Sequence, residues 1–209
     1  MNSKKPIIDV VAVAFDRLNE IKVFVQSWIN QTEKNWKLTI IHDGHNSDFM
    51  SLMESYHKID PNRITFYCTE KRFNDYGHSL REIGLKNLEG DFVLITNADN
   101  YFIPKAVEFL NRAIVEAKGE VDVVMFDMIH SHNKPGTSDL PPYSFFQVKY
   151  KRNFIDLSAA IVKNDLAIKV GFRDKSLAGD ATYFEDIFKS KYPEKLKCLK
   201  IPRVLFVHN

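Results

Sequence analysis

The chain is poor in the features that mark several large protein classes. Cysteine occurs twice in 209 residues, at Cys68 and Cys198, and two single thiols so far apart read as buried side chains rather than as a disulfide or a metal pair. No apolar run approaches the roughly 18 to 20 residues that a membrane-spanning helix requires. Met1-Asn2-Ser3-Lys4-Lys5-Pro6 leads directly into a strand-like segment, without the pattern of a signal peptide. The expectation is a cytoplasmic protein, at most peripheral to a membrane, with no transmembrane segment. Charge of one sign is equally scarce. The 29 Lys and Arg against 27 Asp and Glu leave a net +2, too little to imply nucleic acid or an anionic membrane as partner. Internal repeats and low-complexity tracts are absent. Glycine is missing from Ala14-Phe15-Asp16-Arg17-Leu18-Asn19, where a phosphate-cradling loop after the first strand would need it.

What the chain has is apolar residues in short, spaced blocks, 44% of the total, with Phe (16) unusually common. That suffices for one substantial core. Ile7 to Ala14 is β-branched and nearly continuous in apolar character, as a strand buried on both faces of a parallel sheet would be. Leu18, Ile21, Val25 and Trp28 then fall at helical spacing, and Lys37 to Ile41 reads as a second strand. The alternation continues with a helix over Phe49 to Lys58, a strand over Arg63 to Cys68, a helix over His78 to Leu88 and a strand over Asp91 to Thr96. Such a pattern predicts an α/β fold with a mostly parallel central sheet flanked by helices on both faces. Beyond it, Pro104 suits the first turn of a helix over Lys105 to Ala117, and Val121 to Met128 reads as a strand. Ser131 to Tyr143 reads as a surface loop, and Tyr150 to Val162, Thr182 to Lys189 and Lys200 to Val207 as mixed strand and helix pieces.

Ligands of open α/β sheets collect beyond the carboxyl ends of the strands. The predicted first strand ends at Ala14-Phe15-Asp16-Arg17, the second at His42-Asp43-Gly44-His45 and the fourth at Asn97-Ala98-Asp99-Asn100. Any one acidic residue there reads equally well as a helix cap. Three polar strand ends destined for one edge point to a site.

The segments VVAVAFDR, INQT, LTIIHDGHNSD, NDYGHSLREIGLKNLEGDFVLITNADN and AGDATYFEDI, in that order and spacing, resemble the successive blocks of family 2 glycosyltransferases. These are inverting enzymes of the GT-A fold with a Rossmann-like nucleotide-binding half. The resemblance runs from about Ile7 to His208 and implies one domain over residues 1–209, with about 1–103 binding nucleotide and about 104–209 binding acceptor. It implies a nucleotide-sugar donor, UDP favoured, a Mn²⁺ or Mg²⁺ cofactor, and a glycan, lipid-linked or protein-linked acceptor. Phe15 stands where the family places an aromatic against the base, with Val13 beside it. Asp43 matches the second Asp of an Asp-Asp-Gly-Ser block and would accept from the base, while His42 replaces the first Asp. Arg81 matches a basic residue suited to the diphosphate. Asn97-Ala98-Asp99 occupies the Asp-x-Asp signature, so Asn97 would meet ribose as a neutral contact and Asp99 would bind the metal. One protein carboxylate suffices when phosphate oxygens and waters complete the shell. His208 resembles a C-terminal His that closes the metal site in some relatives.

Inverting transfer needs a base for the acceptor hydroxyl and positive charge on the leaving diphosphate. Asp180, expected in a loop before a helix, is the implied base, with Glu185 and Asp186 as reserves. His130 and His132 have the spacing of a Zn²⁺ half-site without an obvious third ligand; lining the acceptor pocket is the other reading. Two further functions stay open at this level. A nucleotidyltransferase would share a metal-binding Asp but should carry the missing Gly-rich loop. A nucleotide-sugar or glycan-binding protein is favoured by the lost Asp-x-Asp carboxylate.

Overall fold

The computed structural model describes residues 5–131 and 142–209. The chain runs β1 (Ile8–Ala14), α1 (Leu18–Ile29), β2 (Trp36–His42), α2 (Ser47–Ile59), β3 (Ile64–Cys68), α3 (His78–Leu85), β4 (Phe92–Asn97), β5 (Tyr101–Phe102), α4 (Ala106–Glu116) and β6 (Val123–His130). It continues with β7 (Ser144–Phe146), a 3-10 turn (Leu157–Ala159), β8 (Ala160–Lys163), α5 (Asn164–Val170), α6 (Gly179–Ser190) and β9 (Cys198–His208). The expected loop from Ser131 to Tyr143, and with it His132, falls almost entirely on residues 132–141, outside the described residues.

One sheet in the order β3-β2-β1-β4-β8-β6-β9-β5 carries both halves of the chain, with β7 added beside β6. The first four strands are parallel, and their register sets Ala14 beside His42 and Val13 beside Asn97. Because β8 is antiparallel to both β4 and β6, β6 again runs parallel to β4, and β9 is parallel to β6. The carboxyl ends of β1, β2, β4, β6 and β9 therefore all open on the same edge, with His130 paired to His208 at its far side. The alternation in sequence foresaw the parallel part. It did not foresee β5 and β7, which are too short to show a period, or α5, whose seven residues follow β8 without a break.

Every residue of β1 is buried, as its unbroken apolar run requires. On β2, Ile41 faces α3 while Trp36, an odd number of residues away, packs against Trp28 of α1, so the two helices cover opposite faces. Aromatic contacts continue that second layer from Trp28 to Phe102 and on to Phe206, joining α1 to β5 and β9. Phe24 and Phe126 join the same layer. Cys68 and Cys198 are both free, but neither is buried as expected: Cys68 is half-buried, and Cys198, at the start of β9, is exposed. Among the described residues no helix is long and apolar enough to cross a membrane.

Helix α3 lies close on the sheet because Gly84 faces it without a side chain. A Cβ there would stand 2.3 Å from Val11 Cγ1 and 3.3 Å from Ile41 Cδ1. Gly84→Ala should accordingly destabilise the protein by about 1–3 kcal/mol, read as a lower urea midpoint at unchanged m-value.

Candidate active site

A cavity of about 510 Å³ opens at the shared strand edge, walled by Val13, Phe15, Arg17, Asp43, Asn97 and Asp99 among others. The backbone around it is unusual. Of the seven non-glycine residues with left-handed φ among the described residues, Asp16, Arg17, Asn74 and Tyr76 line this cavity. Such conformations cost on the order of 1–3 kcal/mol each and persist where the surroundings enforce them. His42 is one enforcer. Its Nε2 accepts the Asp16 N–H at 3.2 Å while its Nδ1 donates to the Gly44 carbonyl at 2.8 Å. A carboxylate cannot donate, so the His that stands in place of an acidic residue ties the turn after β1 to the turn after β2.

Phe15 projects from the end of β1 and is 42% exposed. The Arg72 guanidinium lies 3.5 Å from its ring centroid. Asp43 is buried, and its two oxygens accept the backbone N–H groups of Phe73 and Asn74 at 2.8 and 3.0 Å. It thereby fastens the segment after β3 over the cavity, while each oxygen retains a second lone pair for a ligand donor. Gly77 closes that segment with φ 82°, and a Cβ on it would meet Val13 Cγ2 at 2.8 Å. Only glycine meets both demands.

Behind this wall Arg81 is 3% exposed, so its guanidinium does not line the cavity. It donates to the Tyr76 carbonyl at 2.8 Å and to Asn97 Oδ1 at 2.7 Å, and it lies 3.8 Å from Asp180 Oδ1. Engaging Asn97 through its oxygen turns the donating amide nitrogen the other way. Burial lowers the Arg81 pKa, and Asp180, Asp156 and Asp75 oppose that shift.

Asp99 Oδ2 accepts from Arg17 Nη1 at 2.5 Å, whereas Oδ1 is buried without a partner among the described residues. Burial raises its pKa against the opposing charges of Arg17 and His208. His208 stacks on His130 with ring centroids 4.5 Å apart, and its Nε2 lies 3.7 Å from Asp156 Oδ2. Its Nδ1 is likewise buried without a partner among the described residues. Asn100 fixes the end of β9 beside these groups. It donates to Thr96 and Ser158 hydroxyls and accepts the Asn209 N–H.

The sequence profile of glycosyl transferase family 2 matches residues 9–174. The chain belongs to glycosyl transferase family 2. Over 116 residues it is 26% identical to glycosyltransferase GlyA of Streptococcus pneumoniae serotype 4, covering 56% of this chain and 16% of GlyA. Its fold is similar to that of Staphylococcus aureus TarS 1-349 in complex with UDP-GlcNAc, at TM-score 0.76 and 15% identity over 96% of this chain and 58% of that one. It is also similar to mannosyltransferase PcManGT of Pyrobaculum calidifontis in complex with GDP-Man and Mn²⁺, at TM-score 0.70 and 15% identity over 98% of this chain and 57% of that one. The fold is of the GT-A type. The chain spans less than two thirds of the length of each of these relatives.

The residues that this family 2 glycosyltransferase offers to a divalent cation fit it in kind. Asp99 Oδ1 and His208 Nδ1 are orphaned buried acceptors, which a cation would satisfy. Among the described residues no cluster of three or more His, Cys, Asp or Glu is placed to hold a metal, so the protein alone is not a closed cage.

Asp180 lies in the first turn of α6 rather than in a loop before it. The helix begins three residues earlier than the expected start at Thr182, and Gly179 in its first turn packs against His78, where a Cβ would stand 2.5 Å from Nε2. Burial pushes the Asp180 carboxyl up to about 6; Arg81 and His208 oppose the shift and Asp156 adds to it. Glu185 and Asp186 are turned outward and paired with Arg152 and Arg173. Three residues of this edge escaped sequence reasoning. Arg17 stood in a quoted strand end without a role, Arg72 belongs to a loop with no motif, and Asp156 caps a 3-10 turn through Ser158 N.

The raised Asp180 value has a consequence for stability. Ionisation begins near 3.8 in the unfolded chain but near 6 in the folded one. Its contribution is therefore most favourable at low pH and is lost as pH rises through about 6. Because the side chain remains 38% exposed, the effect is modest. Asp180→Asn should raise Tm at about pH 8 and leave it nearly unchanged at about pH 4.

Proposed function

We propose that the protein transfers a sugar from a nucleotide-diphosphate donor, UDP-linked by preference, to an acceptor hydroxyl with inversion and with the help of Mn²⁺ or Mg²⁺. The observation that carries this reading is the convergence of an exposed Phe15, the Asp43 carboxylate, Asn97 and the half-satisfied Asp99 on one cavity, with Asp180 held by the same Arg81 that holds Asn97. Phe15 takes the base on its face, in the place where Arg72 now lies. Asp43 accepts from the base while keeping its loop bonds, and Asn97 donates to ribose. Asp99 and His208 are the metal's protein ligands; when bound, the metal neutralises charge developing on the departing diphosphate. Arg81 contributes its charge from below, through Asn97, since it is buried behind the cavity wall. The TarS complex with UDP-GlcNAc and the PcManGT complex with GDP-Man and Mn²⁺ share this fold and support a nucleotide-sugar donor. Because they carry different bases, the uracil preference rests on Asp43 and Phe15.

Asp180 is the base. It takes the acceptor's proton as that oxygen attacks the anomeric carbon, and a carboxyl with a value of about 6 is ionised yet still basic near neutrality. Activity should fall as pH drops through about 6. Transfer or slow hydrolysis of a UDP-sugar, followed as release of UDP, provides the test. Asp180→Asn should lose about 10²–10⁴-fold in kcat with UDP affinity retained, and Asp99→Ala should lose metal-dependent activity. A native protein that binds UDP-sugars with Mn²⁺ but neither transfers nor hydrolyses them would refute the enzyme and leave a binding protein.

A further inference from the structure

We propose that Arg17 is a built-in counter-ion for Asp99 that is exchanged for the metal when donor binds, after which its guanidinium engages the donor's diphosphate. This role rests on the metal-assisted reading proposed above. Arg17 immediately precedes α1, where a short polar side chain would ordinarily satisfy a free helix N–H. Its side chain makes no capping bond, and its φ of 57° is one that glycine adopts freely and other L-residues adopt at a cost. Local structure therefore gives no reason for arginine at this position. The side chain instead reaches across the cavity wall to Asp99, with Nη1 2.5 Å from Oδ2.

That contact leaves Asp99 half satisfied. Oδ2 is paired, while Oδ1 is buried with no partner among the described residues. The Arg17 side chain is 56% exposed against 15% for Asp99, so solvent screens the ion pair from the arginine side, the side that leaves on exchange. A divalent cation brings twice the charge and satisfies the orphaned oxygen as well. Once displaced, Arg17 still belongs to the same cavity, next to the space a diphosphate would fill. Its planar fork matches two phosphate oxygens. The charges balance at both stages: Asp99 with Arg17 before loading, then Asp99 with the metal and the diphosphate with Arg17. The exchange makes metal binding weak without nucleotide and makes the diphosphate, rather than the nucleoside, the part of the donor that commits the site.

The test compares the native protein with Arg17→Gly, which suits the left-handed backbone, and Arg17→Lys, which keeps the charge but not the fork. Mn²⁺ binding is followed by loss of the free-ion paramagnetic resonance signal, first without nucleotide. Arg17→Gly should bind Mn²⁺ about fivefold more tightly than native, the ratio corresponding to a half-exposed ion pair of about 1 kcal/mol. In calorimetry at saturating Mn²⁺, the same variant should bind UDP about tenfold more weakly while its affinity for uridine is unchanged, with Arg17→Lys intermediate. Equal Mn²⁺ affinity in native and Arg17→Gly overturns the exchange, and equal UDP affinity overturns the diphosphate contact. Asp99→Ala separates this role from the reading beneath it. If Asp99→Ala abolishes Mn²⁺ binding and Arg17→Gly changes nothing, only the role of Arg17 fails. If native and Asp99→Ala bind Mn²⁺ alike in the presence of UDP, the metal-assisted reading itself fails.

Discussion

A guanidinium buried as deeply as that of Arg81 has to be paired on several sides, and the partners it takes organise the rest of the site. It reaches the Tyr76 carbonyl in the left-handed segment before α3, the Asn97 side chain at the end of β4, and the neighbourhood of Asp180 at the start of α6. Three elements far apart in sequence are thus set against one cation. Removing the Asn97 acceptor would leave that buried charge less compensated, which is costly. The neutral Asn97 also acquires a physical sense here. An Asp at 97 would neutralise Arg81 by direct contact, whereas Asn97 accepts the same hydrogen bond and leaves the positive charge to act on Asp180. The shift to about 6 at Asp180 is then the balance of burial and Asp156 against Arg81 and His208.

The second constraint is the strained rim. Asp16 and Arg17 are consecutive left-handed residues, and the bond from Asp16 N to His42 is what the neighbouring strand offers to hold them. Asp43 performs the same service for the segment carrying Asn74, Tyr76 and Gly77. Strand ends in strict parallel register bring these braces level with one another. The rigid sheet, the buried cation and the strained turns therefore form one device that fixes the side chains lining the cavity.

Much of the fold was legible in the sequence because parallel strands buried on both faces read as continuous apolar runs, as in Ile8–Ala14 and Phe92–Asn97. The antiparallel additions were not legible. Two-residue β5 and three-residue β7 carry no period, and β8 is set by pairing with β4 and β6 rather than by its own pattern. At the site, the polar strand ends marked Phe15, Asp43, Asn97 and Asp99, and the structure brings these four to one cavity. The relations among them lay beyond sequence. Arg81 as a diphosphate contact presumed an exposed guanidinium, and the structure buries it behind Asn97. Arg17 and Arg72 were visible as charges, but their contacts with Asp99 and Phe15 depend on backbone turns in which Asp16 and Asn74 are of types that favour the left-handed region while Arg17 and Tyr76 are not.

The account stands or falls on whether this edge receives a nucleotide and its metal together. The most direct measurement is the anomalous diffraction of a crystal of the protein grown with UDP and Mn²⁺. The account predicts a manganese peak at bonding distance from Asp99 Oδ1, a diphosphate oxygen in its coordination shell, and the uracil ring lying on Phe15 with its N–H directed to Asp43. A nucleotide bound away from Phe15, or manganese held without Asp99, would contradict it.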